Sequence, residues 1–95
     1  MFDWDARKAQ SNWHKHGVSF QEAATAFLDP EGLDGEDLEH SESEPRRLRL
    51  AKSGSGRVLL IAHTVRSHEN EETTRIISAR RASRKQRETY EAEED

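Results

Sequence analysis

Only 16 of the chain's 95 residues are Leu, Ile, Val or Phe. So few bulky apolar side chains leave little freedom in where each is placed. A chain of this length is one small domain, residues 1–95, and buries only about two-thirds of the surface its unfolded form exposes. Such an apolar content raises the prospect of disorder, yet the net charge of −4 is too small to complete that signature. A folded state built on these residues has modest stability or gains some from a partner.

The net charge hides a strong partition. Residues 1–45 carry 3 basic and 11 acidic side chains, a net of −8. Residues 46–87 carry 12 basic and 3 acidic, a net of +9, and residues 88–95 carry 5 acidic and no basic, a net of −5. A segment at +9 points to a nucleic-acid partner, although the sequence pI of 5.7 does not. The competing reading is that the segments neutralise one another within the fold.

Several classes drop out. No apolar run approaches the ~18 residues of a membrane span, and Met1-Phe2-Asp3-Trp4 does not open a signal peptide. The absence of cysteine removes disulfides, thiolate metal sites and cysteine nucleophiles. The expected location is the cytoplasm. His14 and His16 flank Lys15, but companion ligands are missing, so no metal or other cofactor is expected.

Punctuation along the chain predicts an α+β fold: two N-terminal helices packed on a small antiparallel β-sheet, with a C-terminal helix. Phe2-Asp3-Trp4 is a short edge strand. Asp5 caps a helix to about His16 that Gly17 stops; Ala6, Ala9 and Trp13 share one face of it, Lys8, Asn12 and Lys15 another. Ser19-Phe20-Gln21-Glu22 is a capping box opening a second helix with the face Phe20, Ala23, Ala24, Phe27 and Leu28, which Asp29-Pro30 ends. Residues 29–44, with eight carboxylates and no Lys or Arg, predict a solvated acidic loop. A meander follows: Arg46–Lys52, with Leu48 and Leu50 on one face and Arg47 and Arg49 on the other; Arg57–Arg66, apolar on both faces at its centre; and Thr73–Ala79. Turns are expected at residues 53–56 and 67–72. Ser83-Arg84-Lys85-Gln86 opens the last helix, where Tyr90 is expected to pack rather than act, and residues 91–95 form an acidic tail. Cations at this helix's start and anions at its end oppose its dipole, by about 0.3–1 kcal/mol each at most.

The densest basic stretch, Arg75 to Arg87, holds six cations and no anions across a strand-to-helix junction. Guanidinium forks suit phosphate because they donate two parallel hydrogen bonds; the same cluster suits a carboxylate-rich partner, or simply solvent. His63, near the end of the central strand, is either a proton carrier or a histidine hydrogen-bonded at the rim of the core. Glu44 and Arg46, two apart on one side of a strand, can pair. Residue types of this kind suit metal-free RNA cleavage. The 2′-OH is the nucleophile, so the protein supplies only cations for the phosphorane charge and a group that moves protons.

The chain also resembles the BrnT family of type II toxins. The likeness is carried by Phe2-Asp3-Trp4-Asp5, Lys8, Asn12, Lys15-His16-Gly17-Val18-Ser19-Phe20, Ala23-Ala24, Phe27 and Asp29-Pro30. It continues through His63-Thr64, Arg66, Arg75-Ile76-Ile77-Ser78-Ala79-Arg80-Arg81-Ala82-Ser83, Arg87 and Tyr90. Three positions depart from the family pattern. Val65 stands before Arg66 where Glu is frequent, Gln86 stands where Glu is usual, and Pro45 separates Glu44 from Arg46.

That resemblance implies a RelE-like fold and a ribonuclease that arrests translation. It further implies a co-encoded BrnA-like ribbon-helix-helix antitoxin, which forms a hetero-oligomer with the toxin and carries it to operator DNA. On that footing His63, Arg66, Arg75 and Arg80 are the expected catalytic residues, and Lys15, His16, Arg81, Arg84 and Lys85 the expected RNA-binding ones. Two rivals remain: a catalytically weak relative serving as antitoxin-binding co-repressor, and a nucleic-acid binder without toxin activity.

Overall fold

The structure, a computed structural model, describes residues 1–40 and 45–94. Helix α1 (Ala6–His16) begins where Asp5 Oδ1 accepts from the backbone N–H of Arg7 at 2.8 Å and Lys8 at 3.1 Å. It ends at Gly17, whose φ of 65° is left-handed and favours glycine. Ser19 Oγ accepts from the Glu22 N–H at 3.0 Å to open α2 (Phe20–Thr25). A single 3₁₀ turn, Ala26–Leu28, follows. The strands are β1 (Phe2–Asp3), β2 (Leu33–Glu36), β3 (Arg47–Lys52), β4 (Val58–His68) and β5 (Glu71–Arg81), and the C-terminal helix is α3 (Arg84–Glu94).

One sheet of order β1-β5-β4-β3-β2 joins all five strands. The β2-β3-β4-β5 ladder is antiparallel, whereas β1 runs parallel to β5 with Phe2 opposite Thr74 and Asp3 opposite Arg75. The expectation of a purely antiparallel sheet is corrected here. So is that of a loop throughout residues 29–44, since Leu33–Glu36 forms an edge strand. Leu33 pairs with Leu50 and Asp34 with Arg49, and these partners give an otherwise acidic segment its place. Acidic side chains on an edge strand also discourage further strand pairing. The β4–β5 connection is tighter than expected, with Glu69 and Asn70 both at positive φ, 50° and 70°. Such turns match the twist of the flanking strands. Glu44, and with it the expected pair to Arg46, lies outside the described residues.

Small side chains answer the shortage of large ones. The core between the helices and the sheet is Val18, Phe20, Ala23, Ala26, Ala51, Leu59, Ile61, Ile76 and Ala79. Four alanines among nine residues let helix and strand backbones approach closely. Trp4 packs edge-on to Phe20 at 5.9 Å between ring centroids, and Phe27 reaches Phe2 at 5.1 Å. The predicted helix faces are only partly realised. Leu28 is 84% exposed and Trp13 55% exposed, while the buried residue of α1 is Asn12.

Asn12 is buried because β5 needs it. Beyond Arg75, β1 no longer covers the edge of β5. There the Asn12 amide donates to the Ala79 carbonyl at 2.7 Å and accepts from the Ala79 N–H at 3.0 Å, as a neighbouring strand would. Its second N–H bonds the Val18 carbonyl at 2.9 Å, which fixes the α1–α2 link. On the other side of the molecule, Glu22 accepts from Ser53 Oγ at 2.7 Å and Ser55 Oγ at 2.6 Å. The same carboxylate forms an ion pair with Arg57, and α2 is thereby tied to the β3–β4 turn.

Arg49, expected on an outer face of β3, lies under the 3₁₀ turn. It donates to Ala26 O at 3.2 Å, Asp29 O at 2.8 Å and Asp34 Oδ2 at 2.8 Å, and covers the Phe27 ring at 5.4 Å. With each nitrogen given an acceptor in this way, a guanidinium is tolerated in the core. Asp29 in turn accepts from Tyr90 Oη at 2.6 Å and from the Lys52 N–H at 2.8 Å, which seats α3 on β3. Burial pushes the Asp29 carboxyl up, but the hydrogen bonds from Tyr90, Lys52 and Glu31 outweigh it and hold the group below its ordinary value.

Replacing Asn12 by Ala strips partners from three buried backbone groups. Each such group costs about 1–3 kcal/mol. Urea unfolding of Asn12→Ala is therefore expected to show a loss of roughly 2–4 kcal/mol, and Asn12→Asp, which faces two carbonyls with an oxygen, no smaller a loss. Glu22 adds a pH dependence. The Arg57 hydrogen bond holds its pKa at about 2, against an ordinary 4.5, so the unfolded chain takes up the proton first. Stability from this group is full above pH 4.5 and drains away as pH falls towards 2. Thermal melts of Glu22→Gln should start less stable at pH 6 and lose less over that window.

Candidate active site

Alternation along the strands sorts the remaining cations between the two faces of the sheet. Ile61 and Ala79, paired in register, face the α1–α2 core. Leu60 and Arg80, the adjacent pair, therefore point the other way, towards α3. On that same face the register places Thr64 beside Arg75 and Arg66 beside Thr73. Ala62 pairs with Ser78 and His63 with Ile76, so the ladder passes over Ile77, and this irregularity keeps the two halves of β5 in phase on that face. The sequence-predicted Arg66, Arg75 and Arg80 are thus brought to one face, the one opposite the core.

Within it they fall into two groups. Arg66 and Arg75 are diagonal neighbours across β4 and β5, positions that lie about 7–8 Å apart in a regular sheet. Arg75 also forms an ion pair with Asp3 at 3.2 Å, an outcome of the parallel β1. Arg80 lies farther along β5 and is held by the start of α3. Its guanidinium donates to Gln86 Oε1 at 3.2 Å and to Arg81 O at 3.2 Å. Gln86 Oε1 also accepts from the Ser83 N–H at 2.9 Å, while Ser83 Oγ accepts from the Gln86 N–H at 3.1 Å. The predicted capping box is complete, and the same oxygen that caps the helix aims Arg80.

Arg80 and Gln86 line a groove of about 510 Å³, together with Leu48, Leu60 and the segment from Glu36 to His40. In that segment His40 Nδ1 lies 3.0 Å and 3.1 Å from the two carboxylate oxygens of Asp37. Neither residue was singled out in the sequence. An Asp-x-x-His spacing was the available signal, submerged in a run of carboxylates.

The other expected residues lie outside this face. Lys15 and His16 border a cavity of about 200 Å³ at the free edge of β5, where Ser78 and Ile77 line the opposite side. With His14 they also complement the C-terminal end of the α1 dipole. Arg81 borders a separate cavity of about 280 Å³ with Lys52, Arg57 and Arg87. Arg84 and Lys85 are exposed in the first turn of α3, Arg84 within 3.6 Å of Glu88.

His63 is not brought to the arginines. It faces the core side, 2% exposed, with its ring edge-on to Phe27 at 4.9 Å. Burial pushes its pKa below the ordinary histidine value, which leaves the ring neutral near pH 7. Of the two readings open in the sequence, the position agrees with a histidine at the rim of the core, but the expected hydrogen bond is not made at Nδ1. Its Nδ1 is buried with no hydrogen-bond partner.

A family model described as "Ribonuclease toxin, BrnT, of type II toxin-antitoxin system" matches residues 4–86. The chain belongs to the BrnT family. It is a ribonuclease toxin of a type II toxin-antitoxin system, with an antitoxin as partner and RNA as substrate. Its fold is similar to the 1.1 Å crystal structure of the Brucella abortus ribonuclease toxin BrnT, at 20% identity and a TM-score of 0.63, covering 88% of this chain and 99% of that one. Among curated proteins there is no match. No helix is long and apolar enough to cross a membrane, among the described residues.

In this BrnT-family chain the departure at Gln86 has an electrostatic consequence. A Glu there would preserve the cap and neutralise Arg80; Gln preserves the cap and leaves the positive charge on the groove. Gln86→Glu is expected to keep its melting temperature within a few degrees. It should weaken RNA binding severalfold, measured by fluorescence anisotropy at low salt, with a shallower dependence on salt concentration.

Proposed function

We propose that residues 1–95 act as one RelE-like toxin domain that cleaves RNA without a metal ion, on the sheet face opposite the α1–α2 core. The observation that carries this is the shared face of Arg66, Arg75 and Arg80, three cations on the side of the sheet away from the helices that build the core, two of them in register with threonines. The substrate's own 2′-OH attacks the adjacent phosphorus, the bond to the 5′-oxygen breaks, and a 2′,3′-cyclic phosphate remains. Arg80, fixed by Gln86, holds charge where the phosphorane develops it. Arg66 and Arg75 engage the backbone farther along the strand.

Lys15 and His16 lie at the β5 edge beside Ser78, where a strand leaving the face meets positive charge. Arg81, Arg84 and Lys85 extend that charge around the start of α3. His63 has no role in this scheme, because its ring is on the wrong side of the sheet. The toxin works in the cytoplasm, and its partner is a BrnA-like ribbon-helix-helix antitoxin that covers the arginine face and takes the complex to operator DNA.

Purified toxin with a short RNA provides the test. Cleavage is expected to yield a 2′,3′-cyclic phosphate, to persist in excess EDTA, and to stop when the 2′-OH at the cut site is replaced by hydrogen. Arg80→Ala should slow it by about 100-fold or more, the usual effect of removing one oxyanion-stabilising donor, and His63→Gln should leave the rate of the folded protein unchanged. Products ending in 3′-hydroxyl would contradict the 2′-OH route, and loss of activity in EDTA would contradict metal independence. A well-folded protein that cleaves nothing favours the co-repressor reading.

A further inference from the structure

We propose that His40, oriented by Asp37, is the general base of this site and takes the proton from the attacking 2′-OH; the proposal rests on the arginine face being the cleavage surface. With His63 on the core side of the sheet, a proton carrier for the reaction has to come from elsewhere. The groove around Arg80 contains one in His40.

The geometry is that of an imidazole held in one tautomer. A carboxylate only accepts hydrogen bonds, so the 3.0 Å contact to Asp37 puts the proton on Nδ1 and leaves Nε2 as the basic atom. Asp37 is itself well fixed. Its side chain is 12% exposed, against 58% for His40, and its backbone N–H donates to Arg46 O at 2.7 Å beside β3. The anchored partner is the carboxylate and the accessible one is the imidazole, as a base that meets substrate requires. Imidazole is also the side chain whose charge changes near neutral pH.

In the reaction Nε2 accepts the 2′-OH proton as the O2′–P bond forms. The P–O5′ bond breaks with its electrons on the 5′-oxygen, which takes a proton from solvent water, and the imidazolium then returns its proton to water. Asp37 acts as a positioning residue that also balances the imidazolium charge. The charged groups facing His40 are Glu36, Asp37 and Glu39 on its own segment and Arg80 from β5. A general base must be unprotonated to act, so activity falls on the acid side.

Single-turnover cleavage by the full-length toxin, measured from pH 5 to 9, is the experiment. His40→Gln is expected to cleave about 100-fold or more slowly, within the usual range for loss of a general base, and to lose the acid limb of the pH–rate profile. Affinity for the same oligonucleotide carrying 2′-deoxy at the cut site should change by no more than about twofold, and free imidazole should partly rescue His40→Ala. Asp37→Asn should retain more activity than His40→Gln and shift that limb. If Arg80→Ala is inactive while His40→Gln keeps the wild-type rate and profile, His40 is not the base although the face is the site. If Arg80→Ala and His40→Gln both cleave normally, the face itself is misassigned and the proposal falls with it.

Discussion

The fold depends on how a two-residue strand and one asparagine together close the edge of β5. The β1 strand pairs only Thr74 and Arg75, and farther along it is the Asn12 amide that bonds both backbone groups of Ala79. Between these closures lie Ile77 and Ser78, beside Lys15 and His16. One side chain therefore fixes three things: the docking of α1, the path of the chain at Val18, and the gap where positive charge meets the sheet edge. A buried amide with partners for its two N–H groups and its oxygen is stable where an unpaired one would be expensive.

Scarcity of large apolar residues explains much of the remaining arrangement. Alanines let the helices sit close to the sheet, and Arg49, held by two carbonyls and Asp34, fills space that a branched aliphatic would occupy in a richer chain. A single well-packed face suffices, and the opposite face is covered by α3 only in part, with Tyr90 tied to Asp29. That leaves the second face free to concentrate arginines. The same partition is visible in the charge: the +9 stretch of residues 46–87 supplies the strands of that face, while the acidic segment 36–39 borders the groove containing Arg80.

Caps, stops and strand alternation were legible in the sequence because they follow from local chemistry. Asp5, Gly17, Ser19 and the Ser83–Gln86 box all occupy the positions their side chains suggest. Tertiary pairings were not legible. Leu33–Glu36 has little strand propensity and forms a strand because β3 offers Leu50 and Arg49 opposite it. Asn12 was grouped with lysines on a polar face, although it is buried, because no periodicity reports an exposed strand edge. His63 was expected near the end of the central strand; β4 runs on to His68, and the register with β5 turns the ring to the core side. His40 was lost among carboxylates, and only the fold reveals that Asp37 restrains it beside Arg80.

The proposed mechanism requires RNA to lie across the arginine face and not against the α1–α2 side. Titration of isotopically labelled toxin with an RNA carrying 2′-deoxy at the cut site, followed through backbone and arginine side-chain NMR signals, tests it most directly. Shifts are expected to concentrate at Arg66, Arg75, Ser78, Arg80 and Gln86, with His63, Phe20 and Ala23 unmoved. Shifts centred on the exposed surface of α2 and the 3₁₀ turn, with Arg75 and Arg80 unchanged, would contradict it.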